Sequence, residues 1–205
     1  MSSLYSIDLL KELSDGFEED GYTPEQVKLL RAHGRLTAIL GVLRGTHEIR
    51  PIDHTIDLSA PCNLPFDSAE RVSPAKTGIV KLEKRDDDLY LDGKKIDLFR
   101  SAGQQGDSYI VGHELRKELE GKGGNVGGSI LDKCVEHSEL WPDSWKKDAN
   151  GNTLNVFFWD DIFRDPSIGR MFVRCGYWRE GRVVSHCFWL DYDWFSFYPS
   201  ASVAS

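Results

Sequence analysis

Residues 171–190 read MFVRCGYWREGRVVSHCFWL and carry the strongest structural signal in the chain. On both sides of Glu180-Gly181 the stretch is rich in β-branched and aromatic residues, which favour strands. A two-residue turn at this point places Cys175 opposite His186. The stretch therefore predicts an antiparallel hairpin.

The two faces of this hairpin differ in composition. One face is mostly apolar and is expected to be core; it contains Met171, Val173, Cys175, Tyr177, Val184, His186, Phe188 and Leu190. The other mixes rings, a cation and small residues, namely Phe172, Arg174, Gly176, Trp178, Val183, Ser185, Cys187 and Trp189. Such a mixed face is typical of a binding surface or of a surface covered by helices, and both interpretations stay open. With a two-residue turn Cys175 and Cys187 point to opposite sides and form no disulfide, whereas a three-residue turn would pair them.

The aromatic residues of the C-terminal third extend this sheet. All six tryptophans lie after residue 140, and 14 of the 23 aromatic side chains fall between Phe157 and Tyr198. We predict an antiparallel meander with four strands, near Leu154–Phe163, Arg170–Trp178, Arg182–Leu190 and Trp194–Tyr198.

A β-ribbon is predicted ahead of the meander. Residues 78–84 and 89–91 alternate between apolar and polar, and Asp92-Gly93 is a strong signal for a type I′ turn. This turn sets Leu89 opposite Ile96, which buries one consistent side of the ribbon.

Two short helices are predicted between the ribbon and the meander. The first runs from Gly112 to Glu120 with Gly121 as its C-cap, and the second runs from Ser129 to Glu136. The segment between them, residues 121–128, is rich in glycine and is expected to be a flexible linker.

Two further helices are predicted to open the chain, near residues 3–13 and 24–43, the second beginning at Thr23-Pro24. The predicted fold class is therefore α+β, a twisted antiparallel β-meander packed by two short helices, with an N-terminal helical extension. We place the extension at residues 1–50 and an α+β domain with an aromatic-rich C-terminal sheet at residues 51–205.

Charge and composition narrow the function classes. The formal net charge of −8 argues against a nucleic-acid binder, which normally carries a basic footprint. No apolar run approaches the roughly 20 residues of a membrane span, and the N-terminus lacks the pattern of a signal peptide. Four scattered cysteines predict a reduced, cytoplasmic protein rather than a disulfide framework.

The catalytic motifs that the sequence suggests are incomplete. His113-Glu114 begins like a zinc-protease helix, but Lys117 stands where the second histidine belongs. The glycines of residues 121–128 are not followed by the Lys-Ser or Lys-Thr of a phosphate loop. The sequence implies no cofactor and no metal-ligand set.

Cys175 and His186 are the residue types of a nucleophile and its base. Both are expected on the core face of the hairpin, where a histidine is normally buried with its hydrogen bonds satisfied. We therefore predict a buried, structural His186.

Aspartates near the strand ends offer an alternative, catalytic function. Asp191 and Asp193 share one strand face, and Asp160 can approach from a neighbouring strand. Carboxylates grouped in this way hold Mg²⁺ or Mn²⁺ in two-metal hydrolases and act as acid and base in glycosidases. The competing interpretation is that they form local hydrogen bonds at turns and strand ends, as aspartate commonly does.

The leading hypothesis is a non-catalytic intracellular binding or regulatory protein. Trp178 and Trp189 beside Arg174 form a platform suited to stacking and cation–π contacts. The expected partner is a protein, with a small molecule or a carbohydrate as alternatives, whereas nucleic acid and membrane are not expected.

From Ile52 to the end the sequence also resembles a family of uncharacterised bacterial proteins. The resemblance rests on GHELRKEL (residues 112–119), LD (131–132), PDSWK (142–146), FW (158–159), IFRD (162–165), VR (173–174), Trp194 and YPSA (198–201). It implies one continuous module over residues 52–205 and transfers no activity, cofactor or substrate.

Overall fold

The computed structural model describes residues 14–19, 23–24, 44, 46, 54–106 and 108–203. The C-terminal compact unit is Asp53–Ser205, and it contains all the strands and helices of the sheet fold. The predicted helix at residues 3–13 lies outside the described residues, and so does the helix at 24–43 apart from its first residue.

One mixed sheet dominates the unit. Its strands and those of a small second sheet are, in chain order, β1 (Thr55–Asp57), β2 (Glu70–Arg71), β3 (Ile79–Arg85), β4 (Asp88–Leu91), β5 (Lys94–Phe99), β6 (Ile110–Val111), β7 (Val156–Arg164), β8 (Met171–Arg179), β9 (Arg182–Trp189), β10 (Asp193–Trp194) and β11 (Ser200–Val203). The order in the large sheet is β1-β3-β4-β5-β11-β7-β8-β9, with β2 added against β7, while β6 and β10 pair separately. All pairings except that of β11 with β7 are antiparallel, so the predicted α+β class with an antiparallel sheet is confirmed.

Both tight turns have the predicted chemistry. Asp92 and Gly93 have φ values of 49° and 75°, and Glu180 and Gly181 have φ values of 50° and 83°, as type I′ turns require. Consequently Cys175 lies opposite His186 in the β8–β9 register. The side chain of His186 is exposed, however, so the prediction of a buried histidine is wrong.

The two short helices lie close to their predicted positions. Helix α1 spans Gly112–Lys122 and helix α2 spans Gly128–Glu136. The C-cap of α1 is Gly123, not Gly121, because the helix continues until the Gly123 N–H bonds the Leu119 carbonyl at φ 73°.

The end of the chain departs from the predicted meander. Instead of a strand at Trp194–Tyr198, a turn closes where the Tyr198 N–H donates to the Phe195 carbonyl. Strand β11 then lies between β5 and β7, parallel to β7 with Ser200 opposite Phe157. The last strand therefore joins the ribbon to the meander.

The segment between the helices is anchored to β11 and is not a free linker. Asn125 forms a bridge with Ser202, and the Gly124 carbonyl accepts the Val203 N–H at 2.8 Å. A Cβ at Gly124 would lie 2.9 Å from the Val203 carbonyl oxygen, so glycine permits this approach.

Helices α1 and α2 belong to different hydrophobic clusters on the two faces of β7. Leu115 and Leu119 of α1 pack in a cluster with Phe157, whereas Leu131 of α2 packs in a cluster with Phe158. Because successive strand residues point to opposite faces, the helices cover the sheet from both sides.

Gly176 marks the closest approach of α2 to the sheet. A Cβ at this position would lie 2.6 Å from Leu131 Cδ1 and 2.8 Å from Trp141 Cη2. A methyl group there would force two buried side chains apart.

We expect Gly176→Ala to lower the free energy of unfolding by about 1–3 kcal/mol, as overpacking of a core does. The matched control is Gly121→Ala, because Gly121 is helical and has nothing within 4 Å of its added Cβ. The control should be neutral or stabilising by up to about 1 kcal/mol. Urea denaturation of both variants checks the difference, and equal effects would contradict the described packing of α2.

Candidate functional site

Arg174 lies under α2 and is only 3% exposed. Its Nη2 donates to Asp132 Oδ1 at 2.6 Å and to Ser185 Oγ at 3.1 Å, and its Nη1 donates to the Asn63 carbonyl at 2.9 Å. The Asn63 N–H in turn donates to the second oxygen of Asp132 at 2.8 Å. Arg174 and Asp132 together therefore clamp the loop around Asn63 to helix α2.

A buried carboxylate, that of Asp161, lies at the start of α2. Asp161 accepts the Gly128 N–H at 2.5 Å and pairs with Arg71 at 2.5 Å. A Cβ at Gly127 would lie 2.8 Å from Asp161 Oδ2, and one at Gly128 would lie 3.1 Å from Arg174 Nη1. The two glycines are thus explained by the close approach of charged groups, without any bound phosphate.

A β-bulge brings Asp160 to the same place. The β7–β8 register shifts between Phe158 and Ile162, and such irregularities re-aim side chains. Asp160 pairs with Lys76 at 2.8 Å and also lies beside Gly127. Burial raises the pKa of Asp160, which Lys76 opposes.

A cavity of about 520 Å³ opens between the β1 region and α2. Its lining residues are Thr55, Ile56, Asp57, Ala60, Pro61, Cys62, Asn63, Ser129, Asp132, Lys133, Val135 and Glu136. The α2 members follow helical spacing, so one face of the helix forms a wall. Asp132 and Asn63 of the clamp are part of the lining, and Arg174 binds Asp132 from outside it.

The cysteine in the cavity wall is not an activated nucleophile. Burial raises the pKa of the Cys62 thiol to about 11, and the charge of Asp161 adds to this effect. Burial likewise raises the pKa of Cys175, the thiol opposite His186. Both groups are therefore protonated thiols at neutral pH.

The predicted platform residues share one sheet face, but α2 covers the face between the two tryptophans. Trp178 is half-buried, with the Lys146 ammonium 3.8 Å from its ring centroid. Trp189 lies near the other end of the hairpin, with the Arg170 guanidinium 4.0 Å from its ring centroid. Arg174 lies between them, and both of its Nη atoms are hydrogen-bonded, to α2, to the Asn63 loop and to Ser185.

Trp189 belongs to an open group of side chains, here called the Arg170 cluster: Arg170, Trp189, Tyr192, Asp191 and His113. Trp189 stacks on Tyr192 with a centroid separation of 5.4 Å and an interplanar angle of 29°. Asp191 lies 3.9 Å from Arg170 and 3.1 Å from His113. Tyr192 is 48% exposed, so the cluster presents rings and charges to solvent.

The three candidate catalytic aspartates have different surroundings. Asp160 pairs with Lys76, Asp191 belongs to the Arg170 cluster, and Asp193 is an exposed residue of β10. Among the residues that the structure describes, no group of three or more His, Cys, Asp and Glu side chains could hold a metal ion.

Several residues of both sites were not singled out from the sequence. Asp132 has a detectable signal, because residues 129, 132, 133 and 136 fall on one polar helix face. Asn63 and Cys62 lie in a segment rich in proline and without periodicity, which carries no local signal for a site. Tyr192 lies in a turn after the last long strand, where stacking on Trp189 depends on the fold.

Comparison with family models, curated proteins and solved structures finds no match. The resemblance to uncharacterised bacterial proteins therefore stays a prediction. No helix in the described part of the chain is long and apolar enough to cross a membrane.

Removing the Arg174 guanidinium should lower the stability of the fold. We expect Arg174→Met to lower the free energy of unfolding by about 3 kcal/mol, because Asp132 keeps its charge without its buried partner. The double variant with Asp132→Leu should be more stable than Arg174→Met alone, since no charge is then left unpaired. Urea denaturation followed by tryptophan fluorescence tests this, and strictly additive losses would contradict the coupling.

Alkaline pH should destabilise the protein through its buried thiols. Burial raises the pKa of Cys134 to about 12, from an ordinary value of 9.0. Above pH 9 the unfolded chain therefore binds fewer protons than the folded chain, and the free energy of unfolding falls by about 1.4 kcal/mol per pH unit and thiol. Denaturation at pH 8 to 11 should show a shallower fall for Cys134→Ala, whereas parallel curves would contradict the assignment.

Proposed function

We propose that this chain is a non-catalytic, cytoplasmic binding protein that engages a protein partner through the Arg170 cluster. The observation that carries the proposal is the layered arrangement of Arg170 over Trp189 and of Trp189 against the exposed ring of Tyr192. Tryptophan, tyrosine and arginine are the residues most enriched among binding hot spots.

The cluster is held in shape before any partner binds. Trp189 packs edge-on against Phe172 at 5.9 Å, and the Tyr192 carbonyl accepts the Gly112 N–H at the start of α1. Preorganised rings lose little conformational entropy on binding, which favours affinity. These contacts therefore support the proposal that the Arg170 cluster is a binding surface.

The charges of the cluster support a protein partner. The Nε of Arg170 is 3.9 Å from Asp191, beyond normal hydrogen-bond distance. No side chain in the described part of the chain accepts a hydrogen bond from this guanidinium, which can therefore bind a carboxylate on a partner. A chain with a net charge of −8 repels a phosphate backbone, which argues against nucleic acid. We propose a partner surface with an acidic residue beside an apolar one.

A cytoplasmic location is supported by the cysteines, all four of which are free. The alternative of a metal-dependent hydrolase acting through Asp160, Asp191 and Asp193 is favoured by no contact among the described residues. We therefore propose the binding function alone.

Capture experiments with matched variants test this function. The purified chain is immobilised and exposed to extract of its source cells, and the retained protein is identified, purified and titrated by calorimetry. Tyr192→Ala and Arg170→Ala should each weaken its affinity by about 30-fold, the loss typical of a hot-spot residue.

Trp178→Ala is the control, because Trp178 has a similar half-buried ring with a cation above it but lies outside the cluster. It should leave the affinity unchanged. The proposal is overturned if the captured protein binds the Tyr192 and Arg170 variants as well as the native chain. It is also overturned if an oligosaccharide or oligonucleotide quenches the tryptophan fluorescence saturably and no protein is retained.

A further inference from the structure

The 520 Å³ cavity beside α2 shares no residue with the Arg170 cluster and points to a second ligand. We propose that this cavity binds a small organic cation, an amine that carries a hydrocarbon segment. Volumes of roughly 300–1,000 Å³ are usual for small-molecule sites. The proposal is independent of the proposed protein partner.

The wall of the cavity is a built structure. Asp132 is held from behind by Arg174 at 2.6 Å and from the side by the Asn63 N–H at 2.8 Å. These bonds fix the Asn63 loop against α2 and so fix the shape of the opening. Preorganisation of this kind reduces the entropy lost when a ligand binds.

The charge of the lining selects a cation. The charged lining residues are three carboxylates and one ammonium, namely Asp57, Asp132, Glu136 and Lys133, with a net charge of −2. The Arg174 guanidinium, which lies outside the lining, balances one carboxylate and leaves −1. Arg174 pairs with Asp132, and Lys133 pairs with Glu136 at 2.8 Å. The remaining negative charge therefore belongs to Asp57.

Asp57 is available to a ligand. Its Oδ1 accepts hydrogen bonds from the N–H and hydroxyl of Ser59, and among the described residues no cation pairs with it. The bonds from Ser59 lower the pKa of the Asp57 carboxyl, so it is ionised at neutral pH. An ammonium group can approach its second oxygen directly.

The rest of the lining suits a hydrocarbon chain. Ile56, Pro61, Cys62 and Val135 supply apolar surface beside the carboxylates. Burial of a methylene chain against such surface is favourable, because it removes apolar area from water. An alkyl amine thus matches both parts of the cavity, whereas an anion of the same length meets uncompensated negative charge.

Matched probes and variants test the site. Spermidine and 1,5-diaminopentane are titrated into the full chain, with 1,5-pentanediol and glutarate as probes of similar length without the positive charge. Binding is followed by the amide NMR shifts of the non-proline residues between 55 and 63. We expect saturable shifts with the amines alone.

Asp57→Asn keeps the acceptor for Ser59 and removes the charge, so it should weaken amine binding by about fivefold or more. The control is Asp97→Asn, the same substitution on an exposed residue of β5 outside the cavity. It should leave the affinity unchanged. Val135→Trp fills the cavity from its exposed rim and should abolish the shifts.

The proposal is overturned if the diol and the amines bind alike, or if no probe shifts residues 55–63 up to millimolar concentration. It is also overturned if Asp57→Asn and Asp97→Asn weaken binding equally, because the amines would then bind the general negative charge. Affinity of the captured protein partner is measured separately, so a failure here leaves the Arg170 cluster untouched.

Discussion

The buried guanidinium of Arg174 holds together three parts of the chain, and the packing of α2 on the sheet depends on it. It reaches Asp132 on the helix, the carbonyl of Asn63 in the loop after β1, and Ser185 on the neighbouring strand. A charge in this position is costly to desolvate, so each hydrogen bond to it restricts where the helix and the loop can lie. The cavity beside α2 has its shape because these bonds fix the Asn63 loop against the helix.

Glycine residues make the close approach of these charged groups to α2 sterically possible. Gly127 and Gly128 let Asp161 and Arg174 approach the start of α2, and Gly176 lets Leu131 rest directly on the sheet. Small residues and buried charges are thus complementary requirements of one interface. Helix α2 shields the middle of the mixed hairpin face from solvent and leaves the two ends of that face open. Binding is therefore expected at one of the ends.

Local chemistry explains which features were predictable. The Asp92-Gly93 and Glu180-Gly181 turns set their hairpin registers from neighbouring residues alone, and the register opposite His186 followed. The exposure of His186 could not be predicted in the same way, because β9 is the edge of the sheet and its outer positions depend on what packs beyond it. The same distinction applies to the Arg170 cluster. Trp189 was predicted as a binding residue from its position on the mixed face of the hairpin. The position of Tyr192 could not be predicted, because its stacking on Trp189 depends on the turn after β9.

The amino-acid pattern alone established the class of the domain, the two hairpins and the two helices, since turns and periodicity act within a few residues. Only the folded chain placed β11 between the ribbon and the meander, and only the folded chain buried Arg174 against partners 42 and 111 residues away. Those contacts join segments that are distant in the sequence. Their relative positions depend on which of many alternative arrangements of the whole chain has the lowest free energy. A pairing over such separations leaves no local signature, and for that reason the cavity and the open Arg170 cluster emerge from tertiary structure.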